Sequence, residues 1–159
     1  MKNSYYSRQT ILGKITILEE HGCVNALYIG ECPDEKLCGY KFYLSVTLKN
    51  AFNQLDEYFA GKRKEFNLRF NLIGTEFQLR VWNELMKIPY GRTVCYGDLA
   101  KKIGSPEACR AVGMACHANR IPIFIPCHRV ISSDGSLGGY AHCLENKLKL
   151  LEIEGFTNF

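Results

Sequence analysis

The chain has 159 residues, 47% of them hydrophobic and 23% charged, which is the size and composition of one compact domain or of two small ones. This composition excludes a disordered chain, and the longest apolar run, residues 121–127, is interrupted by prolines and is far shorter than the roughly 20 residues of a membrane span. The net charge is +4, and residues 87–129 carry seven basic and two acidic side chains, a balance compatible with polyanion binding or with a solvated basic face.

Whether the eight cysteines are thiols or form disulfides depends on the cellular location of the protein. Residues 1–10 are polar and lack the apolar segment of a signal peptide, so we expect a cytoplasmic protein whose cysteines are thiols. There is no C-x-x-C pair. His21, Cys23, Cys32 and Cys38 lie close in sequence and are one candidate metal site, but their spacing matches no known ligand pattern. We therefore predict no metal and no cofactor, with most cysteines serving as small apolar side chains or surface thiols.

The first third of the chain predicts strands followed by a helix. Residues 11–18 and 24–29 are rich in β-branched and aromatic side chains, and the short connection 19–22 between them is typical of a hairpin. Residues 41–47 predict a third strand. Apolar side chains at helical spacing predict a helix over residues 48–60.

The pattern changes near residue 73, and this change predicts a domain boundary. We expect residues 1–73 to form an N-terminal α/β domain and residues 74–159 to form a C-terminal domain. Thr75 and Gln78 have the spacing of a capping box, in which each side chain binds a free backbone N–H at the start of a helix. The following helix has an apolar stripe made of Phe77, Val81, Trp82, Leu85 and Met86.

A helix-turn-helix is predicted next. Residues 96–103 have a helical apolar repeat, and Gly104 follows as the residue that ends the first helix. Residues 105–107, Ser-Pro-Glu, are a helix start signal with an N-cap, a proline at the first position and an acid facing the helix dipole. The second helix is expected to turn inward Ala108, Ala111, Val112 and Ala115, and outward Arg110, Gly113, Met114 and His117. Such a pair occurs in DNA-binding proteins but is commoner as an ordinary helical hairpin.

Cys127 is the candidate reactive residue, because it lies between Pro126 and two basic side chains, His128 and Arg129. A cysteine reacts as the thiolate, which a nearby positive charge or a base favours. On a regular strand Cys127 and His128 would point to opposite faces, so His128 needs a local turn or a bridging water to act as the base. These residues alone fit a nucleophile and a structural cysteine equally well.

The segment Pro126-Cys-His-Arg-Val130 resembles the active-site signature of the O6-alkylguanine-DNA alkyltransferases. Arg110-Ala-Val-Gly113 resembles the recognition-helix sequence of that family, and Asn119 stands eight positions before the cysteine, as the asparagine of the family does. Gly138-Gly-Tyr140 and residues 150–155 follow in register. Leu12-Gly-Lys-Ile-Thr16 is similar to the opening strand of the family's N-terminal domain.

This resemblance implies both a fold and an activity. The fold is α+β, with a small N-terminal antiparallel sheet and one helix, ribonuclease H-like, and a helical, winged-helix-like C-terminal domain that holds the helix-turn-helix. The activity is DNA repair by direct reversal, as a methylated-DNA–protein-cysteine S-methyltransferase. Such a protein flips O6-alkylguanine, or O4-alkylthymine, out of double-stranded DNA and transfers the alkyl group irreversibly to Cys127 in a single turnover. The corresponding expectation is a monomer that needs no cofactor.

The resemblance also implies roles around the cysteine. His128 would deprotonate Cys127 through a water molecule, and Glu154 would orient His128. Asn119 would brace the turn that carries the cysteine. We expect the sulfur to attack the alkyl carbon and to leave a restored guanine and a thioether.

Further roles implied by the resemblance concern the DNA and the flipped base. Tyr140 would donate a hydrogen bond to the base, with backbone groups around Val130 and with Ala141 completing the substrate contacts. Tyr96 would crowd the 3′ phosphate and promote rotation of the nucleotide, and Arg110 would fill the vacated place in the stack. Contacts with DNA are also expected from Ala108, Ala111 and Gly113.

The sequence departs from the family pattern at two places. Cys95 stands where the family commonly has a serine that could cap a helix. Ala141 and His142 stand where many relatives have a hydroxyl or a small side chain, which predicts one hydrogen bond fewer to the guanine O6 and exclusion of large alkyl groups.

Three alternatives are kept beside this interpretation. A related non-enzymatic branch binds alkylated bases but lacks the cysteine, so the presence of Cys127 disfavours it. The chain could be a helix-turn-helix DNA-binding module whose cysteine is inert or senses redox state. It could also be a small metalloprotein that uses its N-terminal Cys and His residues.

Overall fold

The computed structural model describes residues 3–157, so residues 1, 2, 158 and 159 of the predicted domains lie outside the described part. The chain divides into two compact units, with the boundary between Leu72 and Ile73. None of the helices within residues 3–157 has the length and apolar character that a bilayer crossing requires.

Among the described residues, the first unit contains a four-stranded sheet, one α-helix and a short 3₁₀ turn at Asp34–Leu37. Its elements are β1 (Ser4–Thr10), β2 (Gly13–Glu20), β3 (Cys23–Ile29), β4 (Lys41–Phe42) and α1 (Val46–Phe59). The strand order is β3-β2-β1-β4, and the pairs are antiparallel except for the short parallel pair of β1 and β4. Leu48, Phe52 and Leu55 of α1 are buried, together with Ile15 and Ile17 of β2.

The predicted hairpin is confirmed as β2 and β3, but one strand of this unit was not predicted and the bounds of another are wrong. Residues 4–10 form a full strand, β1, which pairs with β2 along its whole length and is mostly half-buried, so its polar side chains gave no alternating signal. The predicted strand 41–47 is extended only at Lys41–Phe42. Ser45 Oγ accepts a hydrogen bond from Leu48 N at 3.2 Å, and this cap starts α1 at Val46.

In the described part of the second unit, helices pack against one another beside a two-stranded parallel ribbon. Its elements are α2 (Glu76–Leu85), β5 (Val94–Cys95), α3 (Tyr96–Lys102), α4 (Cys109–His117), β6 (Val130–Ile131) and α5 (Leu144–Ile153). The capping box is confirmed, since Thr75 Oγ1 accepts from Gln78 N at 3.1 Å and Gln78 Oε1 accepts from Thr75 N at 3.0 Å. Trp82 Nε1 of α2 donates to the carbonyl of Ala115 on α4 at 2.8 Å, which fixes these two helices against each other.

Helices α3 and α4 form the predicted helix-turn-helix, and Gly104 follows α3 with φ +77°. The predicted start of the second helix at Ser105 is wrong, because α4 begins at Cys109. Residues 105–108 form a turn in which Ala108 N donates to Ser105 O at 2.9 Å. Serine followed by proline favours the first positions of a β-turn as well as those of a helix, and here the turn is formed.

Candidate active site

The segment that carries Cys127 is buried throughout, since every residue from 121 to 130 is inaccessible to solvent or nearly so. Ile123 has φ +73°, a conformation that is strained for a β-branched side chain, and Ile125 N bonds back to Ile121 O at 2.9 Å. Cys127–Arg129 then form a single 3₁₀ turn. This turn removes the strict alternation of a strand, so Cys127 and His128 need not point to opposite faces.

Asn119 braces the segment before this turn. Its Nδ2 donates to the carbonyl of Ile125 at 2.9 Å and to Cys127 Sγ at 3.2 Å. Its Oδ1 accepts from Ile121 N at 2.9 Å. The side chain therefore holds both ends of the buried segment and contacts the sulfur directly.

Behind Cys127, a buried carboxylate collects several donors. Glu154 accepts from His128 Nε2 at 2.7 Å and from Arg129 Nε at 2.8 Å and Nη2 at 3.1 Å. It also accepts from Gly91 N at 3.1 Å. Arg129 Nη1 donates further to the carbonyl of Ile88 at 2.6 Å. We call Asn119, Cys127, His128, Arg129 and Glu154 the acceptor cluster.

The protonation states in this cluster follow from its burial and charges. Burial alone would raise the pKa of Glu154, but hydrogen bonds from His128 and Arg129 and the positive charge of Arg129 outweigh burial and hold that pKa at about 2. Burial lowers the pKa of His128, so its imidazole is neutral near pH 7. Because an ionised carboxylate only accepts hydrogen bonds, Nε2 of His128 carries the proton and Nδ1 has the free lone pair. Nδ1 is buried and has no hydrogen-bond partner among residues 3–157.

Cys127 is 4% exposed, and burial raises the pKa of its thiol to about 11, despite the opposing effects of Asn119 and Lys147. The resting sulfur is therefore a thiol and needs a base. The expectation that both basic neighbours favour the thiolate is wrong for Arg129, because its guanidinium binds Glu154. The neutral imidazole of His128 is the group that retains a free lone pair.

A cavity of about 380 Å³ opens onto Cys127. Its lining residues come from α3, α4, the cysteine turn and the segment before α5: Tyr96, Cys109, Arg110, Gly113, Cys116, His117, Cys127, Gly139, Tyr140 and Ala141. Six of these were predicted as site residues, and the structure brings them together around one space. Asn119, His128 and Glu154, which were also predicted, lie behind the cysteine and do not line the cavity.

Three predicted contact residues lie elsewhere. Val130 is buried outside the cavity. Its N–H donates to Cys127 O, and its carbonyl accepts from Lys147 Nζ at 2.7 Å. Ala108 precedes α4 and lines a separate shallow groove, and Ala111 is exposed, so the prediction that both face inward is wrong. Because α4 begins only at Cys109, its buried side chains are Val112, Ala115 and Cys116.

The segment 137–142, which we call the rim segment, forms the cavity edge before α5. The hydroxyl of Tyr140 is buried without a hydrogen-bond partner in the described chain, and burial raises the pKa of Tyr140 well above its usual value. The ring of His142 packs edge-on against the ring of Tyr140, with 5.3 Å between centroids. Tyr96 faces this segment, since a Cβ placed on Gly138 would lie 3.3 Å from the Tyr96 ring.

Sequence reasoning missed Lys147, which is fully buried and donates to three backbone carbonyls around the cavity. The sequence did contain a signal for this residue. Lys147 lies on the same helical face as Leu150, Leu151 and Glu154, where an amphipathic helix would carry apolar residues. The cysteines of α4 that line the cavity had no such signal.

The described residues contain no group of three or more His, Cys, Asp or Glu side chains arranged to hold a metal ion. The N-terminal set of His21, Cys23, Cys32 and Cys38 is therefore not assembled into a four-ligand site.

Comparison of the sequence with known families gives two matches that together cover most of the chain. A profile described as 6-O-methylguanine DNA methyltransferase, DNA binding domain, matches residues 76–156. A second, described as the ribonuclease-like domain of the same protein, matches residues 1–72.

Two curated relatives show the extent of the similarity. A methylated-DNA–protein-cysteine methyltransferase of Mycobacterium leprae is 54% identical over 104 residues, which are 65% of this chain and 63% of that protein. The chain thus spans less than two thirds of that relative. The constitutive methylated-DNA–protein-cysteine methyltransferase of Bacillus subtilis is 42% identical over 160 residues, covering 96% of this chain and 95% of that protein.

Solved structures agree with these sequence matches. The crystal structure of Mycobacterium tuberculosis OGT in complex with DNA has a TM-score of 0.88 at 38% identity and covers 95% of this chain and 92% of that one. An O6-methylguanine DNA methyltransferase from Methanococcus jannaschii has a TM-score of 0.66 at 31% identity, with 96% of both chains covered.

Proposed function

The chain belongs to the 6-O-methylguanine DNA methyltransferase family, and from that premise we propose that it repairs alkylated DNA by transferring the alkyl group to Cys127. The proposed substrate is double-stranded DNA carrying O6-alkylguanine, with O4-alkylthymine as a second lesion. In this proposal the protein acts as a monomer in the cytoplasm and needs no cofactor. Each molecule reacts once, because the thioether that forms has no route back to a thiol.

The observation that carries this proposal is the shared cavity of Cys127 and α4. Arg110 and Gly113 of the second helix of the helix-turn-helix line the same space as the thiol. A base extruded from a duplex bound at α4 would therefore reach the sulfur. Flipping is necessary because the O6-alkyl carbon of a stacked guanine is inaccessible to a buried thiol.

The acceptor cluster supplies the proton transfer that the reaction needs. Cys127 is a thiol at rest, and His128 Nδ1 is a buried acceptor without a partner in the described chain. We assign the proton of the thiol to Nδ1 by way of one bridging water molecule. The sulfur then bonds to the alkyl carbon, the bond from carbon to O6 breaks, and the electron pair stays on guanine. Transfer of the proton from His128 to the guanine anion then balances this charge and restores a neutral guanine.

Tyr140 is the proposed donor to the flipped base. Its hydroxyl is buried and unpaired among the described residues, and its raised pKa keeps it protonated. A buried donor without a partner costs free energy, which a base with an acceptor would recover. Tyr96, whose pKa burial raises to about 12, lines the same cavity and would promote rotation of the nucleotide.

The range of alkyl groups depends on the rim segment. Ala141 lines the cavity and offers no hydroxyl to the guanine O6. His142 packs on Tyr140 and does not itself line the cavity, so we expect it to restrict large alkyl groups by fixing the Tyr140 ring.

Incubation with a duplex that carries a radiolabelled O6-methylguanine tests this function. We expect label to appear on the protein up to one methyl group per molecule and to survive denaturation, because the thioether is covalent. Reversible binding of the duplex without transfer of label would contradict the proposal. That result would favour the alternative, a helix-turn-helix DNA-binding module.

A further inference from the structure

One fully buried lysine has no role in the reaction described above. Lys147 of α5 is 0% exposed, although a lysine is almost never fully buried unless it is paired. Its Nζ donates to the carbonyls of Val130 at 2.7 Å, Leu137 at 2.5 Å and Gly139 at 3.0 Å. An ammonium group has three donors and no acceptor, so these bonds use its full capacity. No carboxylate within residues 3–157 forms an ion pair with it.

These carbonyls belong to two parts of the active site. Val130 begins β6, directly after the turn that carries Cys127. Leu137 and Gly139 belong to the rim segment, and neither makes a backbone–backbone hydrogen bond within the described chain. The carbonyls of the rim segment accept from side chains of α5, namely from Lys147 and, at His142, from Asn146 Nδ2 at 2.8 Å. Side chains therefore replace the main-chain ladder that would hold an ordinary strand.

The consequence concerns the cavity wall. Tyr140 and Ala141 follow directly after Gly139 and line the cavity that α4 also lines. Since Gly139 makes no main-chain hydrogen bond within the described chain, the bonds from Lys147 to the carbonyls of Gly139 and Val130 set the distance between Gly139 and β6. A displaced Gly139 carbonyl would carry the Tyr140 ring with it.

The ammonium group also brings a positive charge into the site. Burial lowers the pKa of Lys147 to about 8, and the thiols of Cys127 and Cys116 act in the opposite direction. Lys147 in turn lowers the pKa of Cys127 and opposes protonation of His128. Loss of this charge would therefore disfavour the thiolate as well as release the rim segment.

We propose that Lys147 is a positioning residue for alkyl transfer, which holds the rim segment against β6 so that Tyr140 and Ala141 face Cys127 across the cavity. This inference rests on the proposed function, because it concerns the geometry in which a flipped base meets the thiol.

Lys147→Met tests this role, because methionine is similar in length but removes the charge and all three donors. Lys149→Met is the matched control, since Lys149 lies on the same helix, is partly exposed and forms an ion pair with Glu145 at 3.4 Å. At saturating methylated duplex we expect the single-turnover rate constant of Lys147→Met to fall on the order of 10²-fold, as misplaced reacting groups do. The half-saturating DNA concentration should stay unchanged, and Lys149→Met should behave as the wild type.

The rate constant and the final stoichiometry separate positioning from simple loss of fold. Unfolded molecules would lower the fraction of protein that accepts a methyl group and leave the rate constant of the folded molecules unchanged. If Lys147 is a positioning residue, transfer in the variant should instead be slow but should still reach full stoichiometry. Lys147→Arg keeps the charge and the donors, and we expect it to react faster than Lys147→Met. An unchanged rate constant in Lys147→Met overturns the proposal, whatever the stoichiometry.

Limited proteolysis provides a readout that needs no substrate. Chymotrypsin can cleave after Leu137 and Tyr140 in the rim segment and after Phe124 in the buried cysteine segment. In Lys147→Met we expect cleavage at the two rim positions to accelerate on the order of tenfold, with cleavage after Phe124 unchanged. Equal rates of rim cleavage in the wild type and the variant overturn the proposal. If the wild type transfers no methyl group, the proposed function fails, and proteolysis still decides whether Lys147 holds the rim segment.

Discussion

Cys127 of the acceptor cluster and the rim segment line the same cavity, but the cluster and the rim segment are held in place by different means. In the cluster, buried side chains bond to one another and to the main chain at 2.6–3.2 Å, and Glu154 alone accepts from His128, Arg129 and Gly91. The rim segment makes no main-chain ladder in the described chain and depends on two side chains of α5. Damage to the cluster should therefore cost stability and chemistry together, whereas damage to the rim should cost geometry first.

The largest expected effect on activity is that of Cys127→Ala, which removes the nucleophile from the cluster. We expect transfer of the methyl group to be abolished, because no other side chain in the proposed mechanism can form the thioether. DNA affinity should be nearly unchanged, since in the proposed complex it would depend on phosphate contacts and on α4. Titration of a labelled duplex checks the affinity, and transfer by the variant at the wild-type rate would refute the assignment of Cys127.

Glu154→Gln should produce the largest loss of stability. It leaves the guanidinium of Arg129 buried without a counter-ion, and removal of one partner of a buried pair costs about 3–5 kcal/mol. The matched control is Glu152→Gln on the same helix, where the side chain is exposed and a change of less than about 0.5 kcal/mol is expected. Urea unfolding of both variants measures the difference, and equal midpoints would contradict the buried network.

The same network predicts a loss of stability in acid that occurs in two stages. The pKa of His128 lies below 6.5 in the folded protein, so the unfolded chain takes up a proton first and stability falls as the pH drops below about 6.5. The pKa of Glu154 is about 2 when folded and 4.5 when unfolded, so its contribution is lost as the pH falls from about 4.5 toward 2. Urea midpoints measured across this pH range report the stability, and in Glu154→Gln we expect the loss of stability between about pH 4.5 and 2 to be absent. A flat profile in the wild type would refute the ionisation states assigned here.

Arg110→Ala tests the wall of the cavity that faces DNA. If the side chain fills the gap left by the flipped base, repair of duplex DNA should slow strongly at saturation, while reaction with the free alkylated base, which needs no flipping, should change little. Arg120→Ala, at another exposed arginine beyond the end of α4, should leave both rates unchanged. An unchanged saturating rate with weaker, less salt-dependent binding would show that Arg110 contacts only phosphate.

The smallest expected effects on transfer come from alanine at two glycines in or near the rim segment. Comparing the two variants separates the cost of backbone strain from the effect of a new side-chain contact. Gly135 and Gly138 both have positive φ, +85° and +69°, so alanine at either should cost about 1–2 kcal/mol. A Cβ at Gly135 meets nothing within 4 Å, whereas at Gly138 it would lie 3.0 Å from Ser132 Oγ and 3.3 Å from the Tyr96 ring. We therefore expect only Gly138→Ala to slow transfer. Equal rates in the two variants would show that the rim tolerates displacement.

Short-range signals explain which parts of this structure were predictable. The capping box at Thr75, the stop at Gly104 and the apolar periods of β2 and β3 act within a few residues, and all of them are formed. The Ser105-Pro-Glu signal failed because a β-turn uses the same residues.

The partners of the charged residues could not be predicted from local patterns. Arg129 bonds to Glu154, 25 positions away, and Lys147 bonds to carbonyls 8–17 positions earlier. Family resemblance located Cys127, His128 and Glu154, but it did not indicate that burial keeps the sulfur protonated. That property depends on packing, which only the assembled fold shows.

The central claim, that Cys127 is the alkyl acceptor, is tested most directly by peptide mapping after reaction with methylated duplex. The three cysteines that line the cavity fall in separate tryptic peptides, residues 103–110, 111–120 and 121–129. The account predicts that the peptide 121–129 gains one methyl group and that the other two gain none. Methylation at Cys109 or Cys116, with an unmodified peptide 121–129, would contradict it.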